Sequence, residues 1–429
     1  MRITHGSILA LLLAGFANPE APAGNVATPV RPILITVDDL PIASGRLHRE
    51  PVDRQRITNE LLAVLKRHHV QAVGFVIWSN VRGEADTKLL DQWIRDGHEL
   101  GNHSFSHLDL TRTGLEDYCA DIEEGRASLE EFLAPYGREP RYFRFPMLHE
   151  GETIEKLAAV RDCLARSHQQ SVPVTIDNQD WAFEAPWVEA EGTSRTDQLA
   201  EIADDYLAAV RLEVRRQEEL GDALLGRQTP QVLLLHANAV GAAQWDGLFT
   251  WLERTGHRFA SPDDVLADSA FSKPHQFVAS FGCGLWDRLA HARAEERARE
   301  DIAMVLRSQA EAWSHGDIEG FCAGYAEDAL FVSPTGLTRG REAIRDRYRK
   351  RYPDRAAMGT LRLEIIETRL MWGREVSALD DALPGRIHGA SVVARWTLTY
   401  ADRDALGGLT QLALRNDGRQ WVIVHDASM

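Results

Sequence analysis

The chain has 429 residues, of which 44% are hydrophobic and 26% charged. That is long enough for two folded units, because a single core rarely grows past about 250–300 residues, and too apolar for a disordered or fibrous chain. The formal net charge of -16 argues against a broad nucleic-acid or anionic-membrane surface, which would need clustered Lys and Arg.

In chain order, Met1-Arg2, an apolar run from Ile8 to Phe16 and then Ala21-Pro22-Ala23 read as a signal peptide over residues 1–23, the run being too short to span a bilayer. The expectation is an exported protein, periplasmic or extracellular, with no membrane partner once the signal is removed. Export makes disulfides permissible. The four cysteines, Cys119, Cys163, Cys283 and Cys322, show no CxxC spacing. Cys119 and Cys163 fall in helical segments on either side of one predicted strand, which suggests that pair; the alternative is buried free thiols.

From residue 32, short β-branched runs alternate with amphipathic helical patterns such as Ile57, Leu61, Leu62 and Leu65, then Leu115 through Leu133. The runs are Ile33 to Val37, Val73 to Ile77, His98 to Gly101, Tyr142 to Phe145, Val172 to Ile176, Val232 to His236 and His257 to Ala260. This α/β alternation predicts parallel pairing in an incomplete, seven-stranded β/α barrel over residues 28–271. A connector over 272–296, with Pro274 and Gly282-Cys283-Gly284, breaks the pattern. Residues 297–429 form the second unit. A helical pattern from Ala292 to Trp313, two further helices, the latter near Glu342 to Tyr352, and four long strands predict an α+β domain with an antiparallel curved sheet. Those strands lie around Leu361 to Met371, Val392 to Tyr400, Leu409 to Asn416 and Trp421 to Ser428.

Barrels of this kind gather their chemistry at the C-terminal ends of strands. Strand one ends in Asp38-Asp39, which suits a division between metal ligand and base, although an Asp pair also caps helices and forms turns. After strand three, His103 and His107 stand at i, i+4 and would share one face of a helical turn; the alternative is a solvated helix face. Two His and a carboxylate form a ligand set for zinc or another divalent transition metal that leaves positions open. His98, at the start of its strand, reads as packing or as a support behind the ligands. Arg144, Asp177, Asp180 and His236 close later strands. Singly they read as a surface ion pair, loop turns and a satisfied strand-end histidine, but together they would meet in one cleft.

In this order, these residues resemble the polysaccharide deacetylase (NodB-homology) family, carbohydrate esterase family four, over roughly residues 30 to 270. The resemblance implies a metal-dependent hydrolase removing N- or O-acetyl groups from a carbohydrate. It implies Asp38 as general base, Asp39, His103 and His107 as ligands of a divalent cation (zinc first, with cobalt, manganese or nickel as alternatives), and His236 as general acid. Arg144 would hold the base, Asp180 would tune His236, the Met147 N–H would help to hold an oxyanion, and Trp181 and Leu234 would line the acetyl pocket. Val37 stands where the family usually has an aromatic residue. Arg144-Phe145-Pro146-Met147-Leu148 replaces the commoner Arg-Pro-Pro-Tyr-Gly, and Leu40-Pro41 follows Asp39 in place of glycine. These departures reshape the cleft wall without removing a catalytic group.

Gln309 to Asp317, Tyr325-Ala326-Glu327-Asp328 and Gly340 to Ile344 resemble SnoaL-like domains of the cone-shaped fold related to nuclear transport factor two. The resemblance implies a pocket between helices and sheet, and a role as an enzyme, a small-ligand binder or a dimerisation module, a homodimer through this domain being one option. Trp313, Tyr325, Trp396 and Trp421 are candidate pocket residues or core. His315 and His425 read as a loop cap and a solvent-facing strand end, with acid–base residues as the alternative. Two other functions stay open: hydrolysis of a small amide at the same site, and a catalytically silent carbohydrate-binding protein.

Overall fold

A computed structural model describes residues 30–272, 275–374 and 384–428; the expected signal peptide and Pro274 lie outside the described residues. The first sheet holds β1 (Arg31–Leu40), β2 (Val73–Val76), β3 (Glu99–Asn102), β4 (Tyr142–Phe143), β5 (Gln170–Ser171), β6 (Ile176–Asp177), β7 (Gln231–His236) and β8 (His257–Phe259). Its path is β5-β4-β3-β2-β1-β7-β6, with β8 pairing the start of β1. All of these pairings are parallel. This is the curled, open half-barrel that the alternating pattern predicts. The single strand expected over Val172 to Ile176 is instead split: β5 and β6 flank Pro173, which has no N–H to give to a ladder. The path therefore stays open between β5 and β6.

The pleat of β1 sorts its side chains by alternate residues. Ile33, Ile35 and Val37 pack with Leu61, Leu65, Trp245 and Leu248 of the covering helices Pro51–Arg67 and Ala239–Arg254. Leu34 packs with Phe75, Tyr142 and Val232 in the barrel interior, so Thr36 and Asp38 follow it up the inner face toward the strand ends. Fully burying each such aliphatic side chain contributes about 1.5–3 kcal/mol. Cys119 and Cys163, in helices Leu115–Leu133 and Ile154–Arg166, form a disulfide, while Cys283 and Cys322 are free and buried.

A helix from Leu285 to Ser314 begins well before Ala292 and runs through the stretch expected as a connector. Its first turn is buried: Leu285, Trp286, Asp287 and Arg288 are each at most 6% exposed. The second sheet contains β9 (Tyr325–Ser333), β10 (Gly336–Arg339), β11 (Thr360–Arg374), β12 (Pro384–Thr399), β13 (Leu406–Asn416) and β14 (Trp421–Ser428). Its order is β10-β9-β14-β13-β12-β11. The hairpin β9–β10 has no counterpart in the periodicity analysis. One pairing, β14 with β9, is parallel, which corrects the all-antiparallel expectation: the last strand docks beside the unit's first, and both enter from the same end.

Candidate active site

The site is built on the ends of β1, β3, β4, β6 and β7. Asp38 ends the inner row of β1 and is 3% exposed. Asp39 takes a left-handed backbone, φ 65°, which is uncommon outside glycine and separates the two neighbouring carboxylates. After β3 the chain runs as an irregular loop, with Ser104 at φ 62° and His107 at φ 58°. The helical turn expected for His103 and His107 is absent, because these two left-handed residues interrupt it. The loop is tied down locally: Asp121 accepts the Ser106 N–H with both oxygens at 3.1 Å, and the His107 N–H donates to Ser104 Oγ at 2.9 Å. Helix Leu115–Leu133 lies so close that a Cβ on Gly125 would stand 2.5 Å from Asn102 Oδ1 and 2.7 Å from the Ser104 backbone.

The loop nonetheless brings both imidazoles to Asp39. His103 Nε2 and His107 Nε2 stand 3.5 and 3.6 Å from Asp39 Oδ1, and the ligand atoms of the trio all lie within 4.8 Å of one another. Donors about 2.0–2.1 Å from one tetrahedral ion would stand roughly 3.3 Å apart, so the three fit a single cation. The chemistry of the donors agrees. Asp39 Oδ1 is buried without a hydrogen-bond partner among the described residues. His103 Nδ1 lies 2.8 Å from the Arg144 carbonyl; a carbonyl only accepts, so Nδ1 carries the proton and Nε2 keeps its lone pair. Burial, then the neighbouring His107, pushes the His103 pKa well below its ordinary value, and burial also lowers that of His107. The Asp39 and His107 side chains remain 23% and 27% exposed, leaving an entry from solvent.

Asp38 lies beside this trio, its Oδ2 3.7 Å from His103 Nε2 and 3.7 Å from Arg144 Nη1. Burial pushes the Asp38 carboxyl up to about 7 against the pull of Arg144 and His236. Arg144 is fully enclosed, stacked on the Phe75 ring at 4.7 Å and donating to Thr36 Oγ1 at 3.0 Å. Across the cleft, His236 is gripped twice by Asp180: Nδ1 at 2.5 Å and the backbone N–H at 2.9 Å. Burial opposes a charge on His236, but Asp180 outweighs it and holds the imidazole as imidazolium, its pKa raised to about 10.

The other expected residues fall as follows. Met147, at φ 55°, is half exposed on the turn after β4; Trp181 is 55% exposed at the start of helix Trp181–Gly192; Leu234 is buried with Leu148 and Val174. His98 is buried and accepts the Ala72 N–H at 3.2 Å, a packing role. His315 caps its own helix through the Glu311 carbonyl, and His425 is exposed. Trp313, Tyr325 and Trp396 line a cavity of about 300 Å³ in the second unit, while Trp421 belongs to the core.

Three residues escaped the motif reading. Thr36, two residues before Asp38, supports Arg144, and strand alternation alone pointed to it. His48, 2% exposed, bridges Asp53 at 2.6 Å and Glu184 at 2.5 Å, and Glu184 also accepts the Ala239 and Val240 N–H groups at 3.0 Å. This cross-link ties the loops after β1, β6 and β7 together. It left no local signal, since His48 and Glu184 are 136 residues apart.

Residues 25–162 match the family model for polysaccharide deacetylase, and residues 306–424 that for the SnoaL-like domain. A peptidoglycan-N-acetylglucosamine deacetylase of Bacillus cereus is 28% identical over 128 residues, 29% of this chain and 54% of that protein. A chitooligosaccharide deacetylase of Sinorhizobium fredii is 33% identical over 89 residues, 19% of this chain and 40% of that protein. A solved CE4 family pseudoenzyme from Bacillus anthracis is similar at 15% identity and a TM-score of 0.38, covering 56% of this chain and 66% of that one. The chain thus spans about half or less of the length of these curated relatives. Over residues 25–162 the N-terminal half-barrel is similar to the polysaccharide deacetylases, and over residues 306–424 the C-terminal α+β unit is similar to the SnoaL-like domains.

Proposed function

We propose that this protein is an exported, metal-dependent deacetylase that hydrolyses N- or O-acetyl groups on a carbohydrate. The observation that carries the reading is the Asp39, His103 and His107 trio around one point, with Asp38 on one side and the Asp180-held His236 close by. A divalent cation, zinc first, supplies Lewis acidity when bound by that trio, favouring ionisation of water and polarisation of an acyl carbonyl. Asp38 accepts a proton from the attacking water, with Arg144 fixing the orientation of its carboxylate. The Met147 N–H lends a hydrogen bond to the acyl oxygen as charge develops there. His236 then gives its Nε2 proton to the leaving amine or alcohol, while Asp180 keeps Nδ1 occupied and the ring charged. Trp181 and Leu234 form walls of the acetyl pocket.

The test is acetate release from chitin oligomers, peptidoglycan fragments and acetylated xylan, with metal-stripped protein as control. Asp39→Ala is expected to lose both bound metal and turnover. Asp38→Asn is expected to keep the metal and to lose about 10²–10⁴-fold in turnover; a rate near wild type would remove Asp38 from the role of base. Release from none of these substrates, with metal bound, would favour a small amide or a silent carbohydrate binder.

A further inference from the structure

The first turn of helix Leu285–Ser314, which continues into the core of the SnoaL-like unit through Ile302, Leu306 and Trp313, is wedged against the open side of the half-barrel. The Leu285 N–H donates to the Val174 carbonyl at 2.6 Å, between β5 and β6. Trp286 Nε1 donates to Gln231 Oε1 at 3.0 Å on β7. Gly284 sits so close to this gap that a Cβ there would be 3.2 Å from the Thr175 carbonyl oxygen. The wedge therefore fills the space that the broken strand around Pro173 leaves unpaired.

The same turn reaches the loop that carries Met147. Arg288, 5% exposed, donates through Nε to the Cys283 carbonyl at 2.9 Å and through Nη2 to the Leu148 carbonyl, and its Nη1 pairs with Glu150. Gly282 lies against the Met147 carbonyl so tightly that a Cβ would stand 1.8 Å from its oxygen. Met147 and Leu148 are successive non-glycine residues at φ 55° and 56°. Such backbone is strained and persists only where the surroundings over-determine it. Here the surroundings are the Gly282 to Arg288 strap.

We propose that Arg288 is a positioning residue for the deacetylase site: by holding the Leu148 carbonyl it fixes the turn on which the Met147 N–H is presented, so that the helix of the second unit completes the site of the first. This rests on the deacetylase reading for its catalytic half. Two variants test it. Glu150→Gln with Arg288→Met removes both charges of the buried pair, while the amide oxygen keeps an acceptor for Arg161 and His275, which each stand 3.4 Å from Glu150. Arg288→Lys keeps a charge for Glu150 but loses the planar fork that spans two carbonyls.

In the full-length, metal-loaded protein, amide hydrogen exchange over residues 145–149 is expected to speed up by about tenfold or more in both variants, with metal affinity unchanged. The value of kcat for acetate release is expected to fall about 100-fold, as misplacing a catalytic group does, with little change in KM. Unchanged exchange overturns the strap, and faster exchange with unaltered kcat in an active protein overturns its catalytic role. A wild-type protein that releases no acetate would count against the deacetylase reading alone, because the exchange measurement needs no turnover.

Discussion

In the half-barrel, Asp38 is 3% exposed and its Oδ1 has no hydrogen-bond partner among the described residues; in the second unit Asp426 is 5% exposed and fully satisfied. Tyr325 Oη, Thr410 Oγ1 and Ser428 Oγ donate to Asp426 at 2.6, 2.8 and 2.8 Å. Leaving a buried carboxylate oxygen unpaired costs about 1–3 kcal/mol or more, and a structure with no use for the group would supply donors. On the proposed reading, the contrast separates a carboxylate held ready for an ion or a proton from one that organises a polar corner beside an aromatic cavity.

The largest expected effect lies on the catalytic side of that contrast. The His236 pKa is raised to about 10 by Asp180, against burial, and an acid works only below its pKa. Asp180→Asn should therefore move the alkaline limb of the pH–rate profile down toward neutrality and cut turnover at pH 8 by about 100-fold; a limb that stays put would detach Asp180 from this role. A smaller effect concerns stability. Burial lowers the His98 pKa from 6.5 to about 4, so the unfolded chain takes up the proton first. That contribution is present above pH 6.5 and is lost as pH falls toward 4, amounting to about 3 kcal/mol. His98→Gln should flatten this slope in urea midpoints measured at pH 7 and pH 4.5. The smallest effect is expected from Asp426→Asn, which weakens three hydroxyl contacts and should cost about 2 kcal/mol, read as a lower thermal midpoint, with acetate release unchanged. A loss of acetate release in a folded Asp426→Asn protein would erase the distinction between the two carboxylates.

Much of the first unit was legible because strand periodicity and strand-end chemistry are local. The runs ending at Asp38-Asp39 and His236, and the pair Cys119 and Cys163, could be found without coordinates. The Val172 to Ile176 run misled because β-branched residues suggested a strand while Pro173, its second residue, forbade one ladder bond. The spacing of His103 and His107 suggested a helical turn, but left-handed Ser104 and His107 bring the same two rings together along a different backbone. The roles of His48, Glu184 and Arg288 left no trace in spacing, since their partners lie 136, 55 and 140 residues away.

The sequence by itself determined the alternating β/α grammar, the change to helices followed by long strands, and the residue types able to bind a cation and move protons. Those follow from side-chain period and from chemistry carried by single residues. Only the tertiary structure decided which oxygen remains unpaired, which imidazole nitrogen keeps its lone pair, and that a helix of the second unit braces a turn of the first. Each of these depends on atoms brought within a few ångströms by packing between distant segments, and such distances have no counterpart in the order of residues.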